Sequence, residues 1–182
     1  ALLGWIGSWL AAARHLARQG ASRLFMIGCG TQAMAHIDAI RTVRSVERVA
    51  VYDSDPARAT ALVSLAAGRG VRAVAEDGIA GARESDMIVT CTPSRAAFLG
   101  LEHVSPGAFI AAVGADNEHK QEIYPVLMGR ARVVVDSREQ CVMMGDTRGA
   151  IAAGTMTESG IHADLFGDPE DPRSDVRLIL DK

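Results

Sequence analysis

The sequence predicts a doubly wound α/β fold, a parallel sheet with helices on both faces, and three observations carry that expectation. Short apolar, β-rich runs alternate with helical stretches along most of the chain, the pattern of βαβ units joined by right-handed crossovers. A glycine turn, Gly28-Cys-Gly30-Thr-Gln-Ala33, follows the first of these runs and opens a long helix. Six strand-like runs within one domain-sized stretch suit the strand order 3-2-1-4-5-6 of the Rossmann type.

The elements follow in order. Ser8 to Gln19 is Ala-rich and helical in character, with Gly20 as its stop. Arg23 to Ile27 is the first strand, running straight into Gly28, and Thr31 to Val43 is a helix with Ala33, Ala35, Ile37 and Ile40 available for its buried side. Val49 to Tyr52 is the second strand. Asp55 and Pro56 form a helix start, an N-cap followed by proline at the first helical position, and that helix continues to Ala67. Val71 to Val74 is the third strand, Ile79 to Arg83 a short helical turn, and Met87 to Thr90 the fourth strand. Ala108 to Val113 and Arg132 to Val135 are the fifth and sixth, separated by a helix over His119 to Met128. Ser137 to Met144 and Arg148 to Ala153 are later helical pieces, Gly154 to Ser174 is polar loop, and Val176 to Leu180 is strand-like.

Composition narrows the function classes. The chain has 182 residues, 48% hydrophobic and 23% charged, with a net charge of −3. That is a globular domain long enough to bury its own core, with no basic footprint for nucleic acid or an anionic membrane. Three cysteines at unrelated spacings, Cys29, Cys91 and Cys141, fit a reducing, cytoplasmic setting and give neither a disulfide framework nor a metal motif. The uncharged stretch from Ala1 to Ala13 is too short for a membrane span, which needs about 20 apolar residues. Trp5 and Trp9, four apart within it, suggest a contact face.

The glycine turn is the strongest local signal. Gly28 would allow the tight turn, Gly30 would let backbone approach a pyrophosphate, and small Ala33 would let the helix pack against the strands. The phosphates would rest on the helix N-terminus, where free N–H groups and the helix dipole favour negative charge. Asp53 lies twenty residues beyond Ala33, at the end of the second strand. An acid there accepts hydrogen bonds from the adenosine ribose of NAD and repels the 2′-phosphate of NADP, although Arg58 lies close behind it. The loops ending the fourth and fifth strands, Cys91-Thr92-Pro93-Ser94 and Gly114-Ala115-Asp116, fall at the switch point where ligands bind. Thr92 and Ser94 would face the cofactor as hydroxyl donors, and Asp116 would be the carboxylate nearest a nicotinamide. On spacing alone, ordinary turn chemistry at these positions is an equal reading.

These residues resemble the ornithine cyclodeaminase/mu-crystallin family. The resemblance runs through Ala13 to Arg18, Met26 to Ala33, Val89 to Ser94 and Ala112 to Asp116. It continues through Lys120-Gln-Glu122, Val134 to Arg138 and Gly145-Asp-Thr-Arg148, in order and with matching gaps. It implies a nucleotide-binding domain like this one, beside a substrate and dimerisation domain built mainly from preceding residues, with NAD as cofactor and an amino or imino acid as substrate. Residue by residue, Thr31 and Gln32 match dinucleotide-loop positions, Asp53 the ribose acid and Thr92 a nicotinamide-side threonine. Ala112, Val113 and Gly114 match the strand end against the cofactor, and Asp116 the catalytic aspartate of the cyclodeaminases. The implied activity is deaminating cyclisation of ornithine to proline by transient hydride transfer. An imino-acid reductase, an amino-acid dehydrogenase and a non-catalytic dinucleotide-binding protein are the alternatives.

Members carry an Arg-Thr pair where this chain reads Gly4-Trp-Ile-Gly-Ser-Trp9. The expected organisation is therefore an apolar helix at 1–22 leading from a further domain, a dinucleotide-binding domain at 23–153, and a loop and return strand at 154–182. The abrupt apolar start and the close just after a strand read as cuts from a longer protein, homodimeric through that further domain or the apolar helix. Of the remaining candidates, Cys29 reads as filler within the glycine turn, although a helix N-terminus would lower its thiol pKa. Met34, Met143 and Met144 read as core filler, and Lys120 as a solvated helix cation with the option of tuning Asp116.

Overall fold

A computed structural model describes residues 12–164 and the backbone of a strand at 176–180. Trp5 and Trp9 lie outside the described residues. The strands are β1 (Arg23–Ile27), β2 (Arg48–Tyr52), β3 (Ala73–Ala75), β4 (Met87–Thr90), β5 (Phe109–Ala112), β6 (Ala131–Val135), β7 (Ile161–Asp164) and β8 (Val176–Leu180). The helices are α1 (Ala33–Val43), α2 (Pro56–Ala67), α3 (Pro125–Met128), α4 (Arg138–Met143) and α5 (Gly145–Ala152), with residues 12–16 also helical.

The strands form one sheet of order β3-β2-β1-β4-β5-β8-β6-β7. From β3 to β5 every pairing is parallel, so the doubly wound half is as expected. The other half corrects the expected order. β6 does not lie beside β5, because β8 returns between them and pairs antiparallel with both. The polar stretch expected to be loop also yields β7, parallel to β6 and offset by a register shift between Val133 and Val134. Composition hides β7 because an edge strand of four residues, Ile-His-Ala-Asp, need bury only one side.

Successive strand residues face opposite sides of the sheet, and both sides are covered, hence the near-continuous apolar runs. Leu24, Met26, Val49, Val51, Met87 and Val89 pack with Ile37 and Ile40 of α1, Leu62 of α2 and Ala12, Ala13 and Ala17. Phe25, Ile27, Ile88, Ile110 and Val133 pack on the other face with Leu99, Ile123, Leu127, Cys141 and Ala150. Met34 is core as expected, whereas Met143 is 69% exposed at the end of α4 and corrects its assignment as filler.

Local signals set most boundaries. The Asp55 carboxylate accepts the Ala57 N–H at 3.0 Å and Pro56 opens α2, as the sequence indicates. α1 begins at Ala33, two residues later than expected, with Gln32 at its cap. The helix expected over His119 to Met128 shrinks to α3, since Tyr124 is extended ahead of Pro125. Asp86 fastens the residues leading into β1: it accepts the N–H groups of Ser22 and Arg23 at 3.0 Å each and pairs with Arg18 at 2.6 Å. Burial alone would raise its carboxyl, but those N–H groups and the Arg23 guanidinium hold it below the ordinary value.

Candidate functional site

Register brings the candidate residues together. Ile27 at the end of β1 stands opposite Tyr52 of β2 and Thr90 of β4, so Gly28, Asp53 and Cys91 leave the sheet at one edge. The Gly28 N–H donates to the Tyr52 carbonyl at 2.9 Å and the Cys91 N–H to the Ile27 carbonyl at 2.8 Å, extending both ladders by one bond. Gly28 has φ +96°, and a Cβ there would overlap the Cys91 carbonyl and the Thr92 methyl. Gly30 is different: a Cβ would meet nothing within 4 Å. The first glycine makes the turn and the second leaves space, as the motif's mechanics require.

That space belongs to a cleft of about 420 Å³ lined by Gly28, Gly30, Asp53, Arg58, Thr92, Ser94 and the apolar Ile27, Tyr52, Ile79, Pro93 and Phe98. Asp53 Oδ2 accepts the Cys29 N–H at 2.7 Å and Oδ1 accepts the Asp55 N–H at 2.9 Å. The carboxylate thus braces the glycine turn, and its remaining lone pairs stay available on the cleft side. Open backbone at Gly30, the N-terminus of an 11-residue helix and a half-buried acid around one cleft fit a dinucleotide. Arg58 is exposed and pairs with Asp55 at 3.6 Å.

Thr31 and Gln32 are exposed beside the turn, and Ala33 is fully buried beneath it. Ala112, Val113 and Gly114 are buried at the end of β5 and do not line the cleft. Asp116 is exposed beyond them, outside the cleft lining, and pairs with Lys120 at 2.8 Å. Lys120 therefore sits in a turn with a carboxylate partner rather than on a helix as a solvated cation. The Cys29 thiol agrees with its reading as filler: burial, then the charge of Asp53, push it up to about 12. Among the described residues no cluster of His, Cys, Asp and Glu is arranged to hold a metal. No helix there is long and apolar enough to cross a membrane.

The hydroxyls of Thr92 and Ser94 do not point as expected. Thr92 Oγ1 donates to Glu122 Oε1 at 2.6 Å, across to a distant segment, and Ser94 Oγ to the Ala96 carbonyl at 2.7 Å within its own loop. Glu122 is the residue that sequence reasoning left without a role. It is fully buried and accepts Thr90 Oγ1 at 2.7 Å, the Thr92 N–H at 2.8 Å and the Gly114 N–H at 3.0 Å besides Thr92 Oγ1. Its own N–H and that of Ile123 donate to Asp146 Oδ1, each at 2.8 Å. Burial pushes both carboxyls up, and the Glu122 charge adds to the shift of Asp146, which reaches about 7. Glu122 meets two backbone N–H groups that can only donate, whereas Asp146 Oδ2 has no partner among the described residues. Glu122 closes a polar run from Asp116 that reads as solvated, and no pattern in the run marks it as buried.

A parallel β3-β2-β1-β4-β5 sheet whose first turn carries this glycine pattern defines a Rossmann-type α/β domain. The sequence model of the ornithine cyclodeaminase/mu-crystallin family matches residues 10–166. The chain belongs to that family. It is 36% identical over 154 residues to the alanine dehydrogenase of Archaeoglobus fulgidus, covering 85% of this chain and 48% of that protein. It is 37% identical over 150 residues to the iminosuccinate reductase of Paracoccus denitrificans, covering 81% and 46%. The crystal structure of that reductase in complex with NAD+ matches with a TM-score of 0.82 at 32% identity, over 94% of this chain and 54% of the other. A lysine cyclodeaminase, solved for its recognition of L-lysine and L-ornithine, matches with a TM-score of 0.78 at 28% identity, over 90% and 47%. The chain spans about half the length of the curated relatives it matches.

Proposed function

We propose that the chain binds NAD in the cleft at the ends of β1, β2 and β4 and serves hydride transfer at the α-carbon of an amino or imino acid. The observation that carries this reading is the placement of open Gly30, the α1 N-terminus and the Asp53 carboxylate around one cleft. The backbone from Gly30 through Thr31, Gln32 and Ala33 receives the pyrophosphate, and Asp53 accepts the ribose hydroxyls. Gly28 keeps the turn tight, while Thr92, Ser94, Ala112, Val113 and Gly114 form the strand ends beside the nicotinamide half. Bound NAD supplies the acceptor, and its reduced form the donor, of the hydride. Asp116 takes and returns the proton at the substrate nitrogen, oriented by Lys120 at 2.8 Å. By likeness to an archaeal alanine dehydrogenase solved as a dimer with bound NAD, the protein works as a homodimer.

The likeness to an alanine dehydrogenase and an iminosuccinate reductase supports a single transfer, as in a reductase or dehydrogenase. The likeness to a lysine cyclodeaminase supports the second reading. There the hydride leaves the α-carbon of ornithine, the δ-amine closes on the resulting imine, ammonia departs and the hydride returns, giving proline.

Titration of the chain with NADH, followed by nicotinamide fluorescence, tests the cofactor. Asp53→Ala should weaken binding by about 10- to 100-fold, the worth of hydrogen bonds to a charged acceptor. A wild-type chain that leaves NADH fluorescence unchanged, or an Asp53→Ala chain that binds equally well, defeats the assignment. In the protein carrying this chain, NADH consumed by an α-imino acid marks the reductase. Proline and ammonia released from ornithine with catalytic NAD mark the cyclodeaminase.

A further inference from the structure

We propose that Glu122 is a positioning residue whose carboxylate, gathering four donors from the ends of β4 and β5, sets the floor against which the nicotinamide half of the dinucleotide rests; this rests on the dinucleotide reading above. Oε1 accepts the N–H and hydroxyl of Thr92, and Oε2 accepts the Thr90 hydroxyl and the Gly114 N–H. Three of these four donors, on Thr92 and Gly114, lie two residues past the last paired residues of β4 and β5, Thr90 and Ala112. The Val113 N–H still donates to the Thr90 carbonyl at 2.9 Å, and beyond that last ladder bond the Glu122 carboxylate bridges Thr92 and Gly114. A Cβ on Gly114 would overlap the Thr92 carbonyl, so the backbones touch there and the carboxylate ties them together beyond the ladder.

The chemistry of the site argues against simple filling. A fully buried carboxylate is a costly way to close a gap, and none of its partners among the described residues is a cation. What a carboxylate does, and an amide or an apolar side chain does not, is accept from two backbone N–H groups through two separate oxygens. Those N–H groups follow different strands, and Thr92 also lines the cleft. The Glu122 backbone is held just as firmly: its carbonyl accepts the N–H groups of Phe98 and Leu99 at 2.9 and 3.0 Å, and its N–H reaches Asp146. The acid is thus clamped to the scaffold by its main chain and holds the strand ends by its side chain. The adenosine half of the cleft, at Gly30 and Asp53, receives none of these bonds.

That separation gives the test a direction. Glu122→Gln keeps the shape but has one accepting oxygen, so its NH2 must face the N–H of Thr92 or of Gly114. NADH and ADP-ribose are titrated against the 182-residue chain and its variants. NADH binding should weaken about tenfold in Glu122→Gln, the equivalent of one unmade hydrogen bond, with ADP-ribose binding kept within about twofold. Thr90→Val removes one donor at constant volume and decides the matter if Glu122→Gln does not fold, with an expected loss of about threefold for NADH alone. Glu122→Asp, which retains both oxygens, should recover part of the NADH affinity. Variants that bind NADH as the wild type does, or that lose NADH and ADP-ribose in equal measure, overturn the proposal. A wild-type chain that binds neither ligand overturns the dinucleotide reading itself, and this inference with it.

Discussion

Asp146→Asn should flatten the pH dependence of folding and shift stability in the variant's favour above pH 7. Asp146 is 1% exposed, and its Oδ1 is occupied by the N–H groups of Glu122 and Ile123. Burial first, and the Glu122 charge second, raise its carboxyl to about 7. In the unfolded chain the same group titrates near ~3.9. Between those values the native state holds a proton that the unfolded state has released, so stability falls as pH rises through this window and levels off above it. About three pKa units at about 1.4 kcal/mol each set an upper bound of about 4 kcal/mol. Asparagine keeps the accepting Oδ1 and replaces the protonated oxygen with an NH2 that cannot ionise. Urea denaturation followed by circular dichroism at pH 4, 5, 6, 7 and 8 gives the two stability curves. The gap between wild type and variant should move toward the variant by up to about 4 kcal/mol across the series. A wild-type curve that is flat or rising between pH 4 and 7, or a variant curve of the same slope, refutes the reasoning.

The two turn glycines should respond oppositely to alanine. Gly28→Ala, at φ +96° and against the Cys91 carbonyl, should cost about 3 kcal/mol or more, read as a fall in Tm. Gly30→Ala, which meets nothing within 4 Å, should leave Tm unchanged and weaken NADH binding, because the methyl group enters the space left for the pyrophosphate. Equal effects of the two substitutions on Tm would contradict the division of labour. Asp55→Ala should cost about 1 kcal/mol in urea denaturation through loss of the Ala57 N–H cap at the start of α2.

The parallel half of the sheet was legible because each βαβ unit writes its own signals: an apolar run, a turn residue, a cap. Asp55-Pro56, Gly28 and the apolar Met87, Ile88 and Val89 of β4 needed no tertiary information. β8 and β7 were not legible as neighbours of β6. Their placement is a long-range pairing across a polar stretch, and periodicity within five residues does not encode a partner. The helix expected at His119 to Met128 failed for a local reason, since Pro125 disfavours helical backbone at Tyr124, and only the turn beyond it survived. In the site, Gly28, Gly30, Asp53, Thr92 and Ser94 were found from order and spacing and do line one cleft. Their hydroxyl directions were not, because a χ1 choice depends on what lies behind the loop.

By itself the sequence determined the class of sheet, its first turn and the acid that faces it, since all three follow from residue type at short range. Only the tertiary structure decided that Glu122 and Asp146, two acids in polar surroundings along the chain, are buried between the ends of β4 and β5 and the start of α5. A carboxylate's cost and role depend on which donors surround it, and those donors, from Thr90 to Gly114, come together only when distant segments pack.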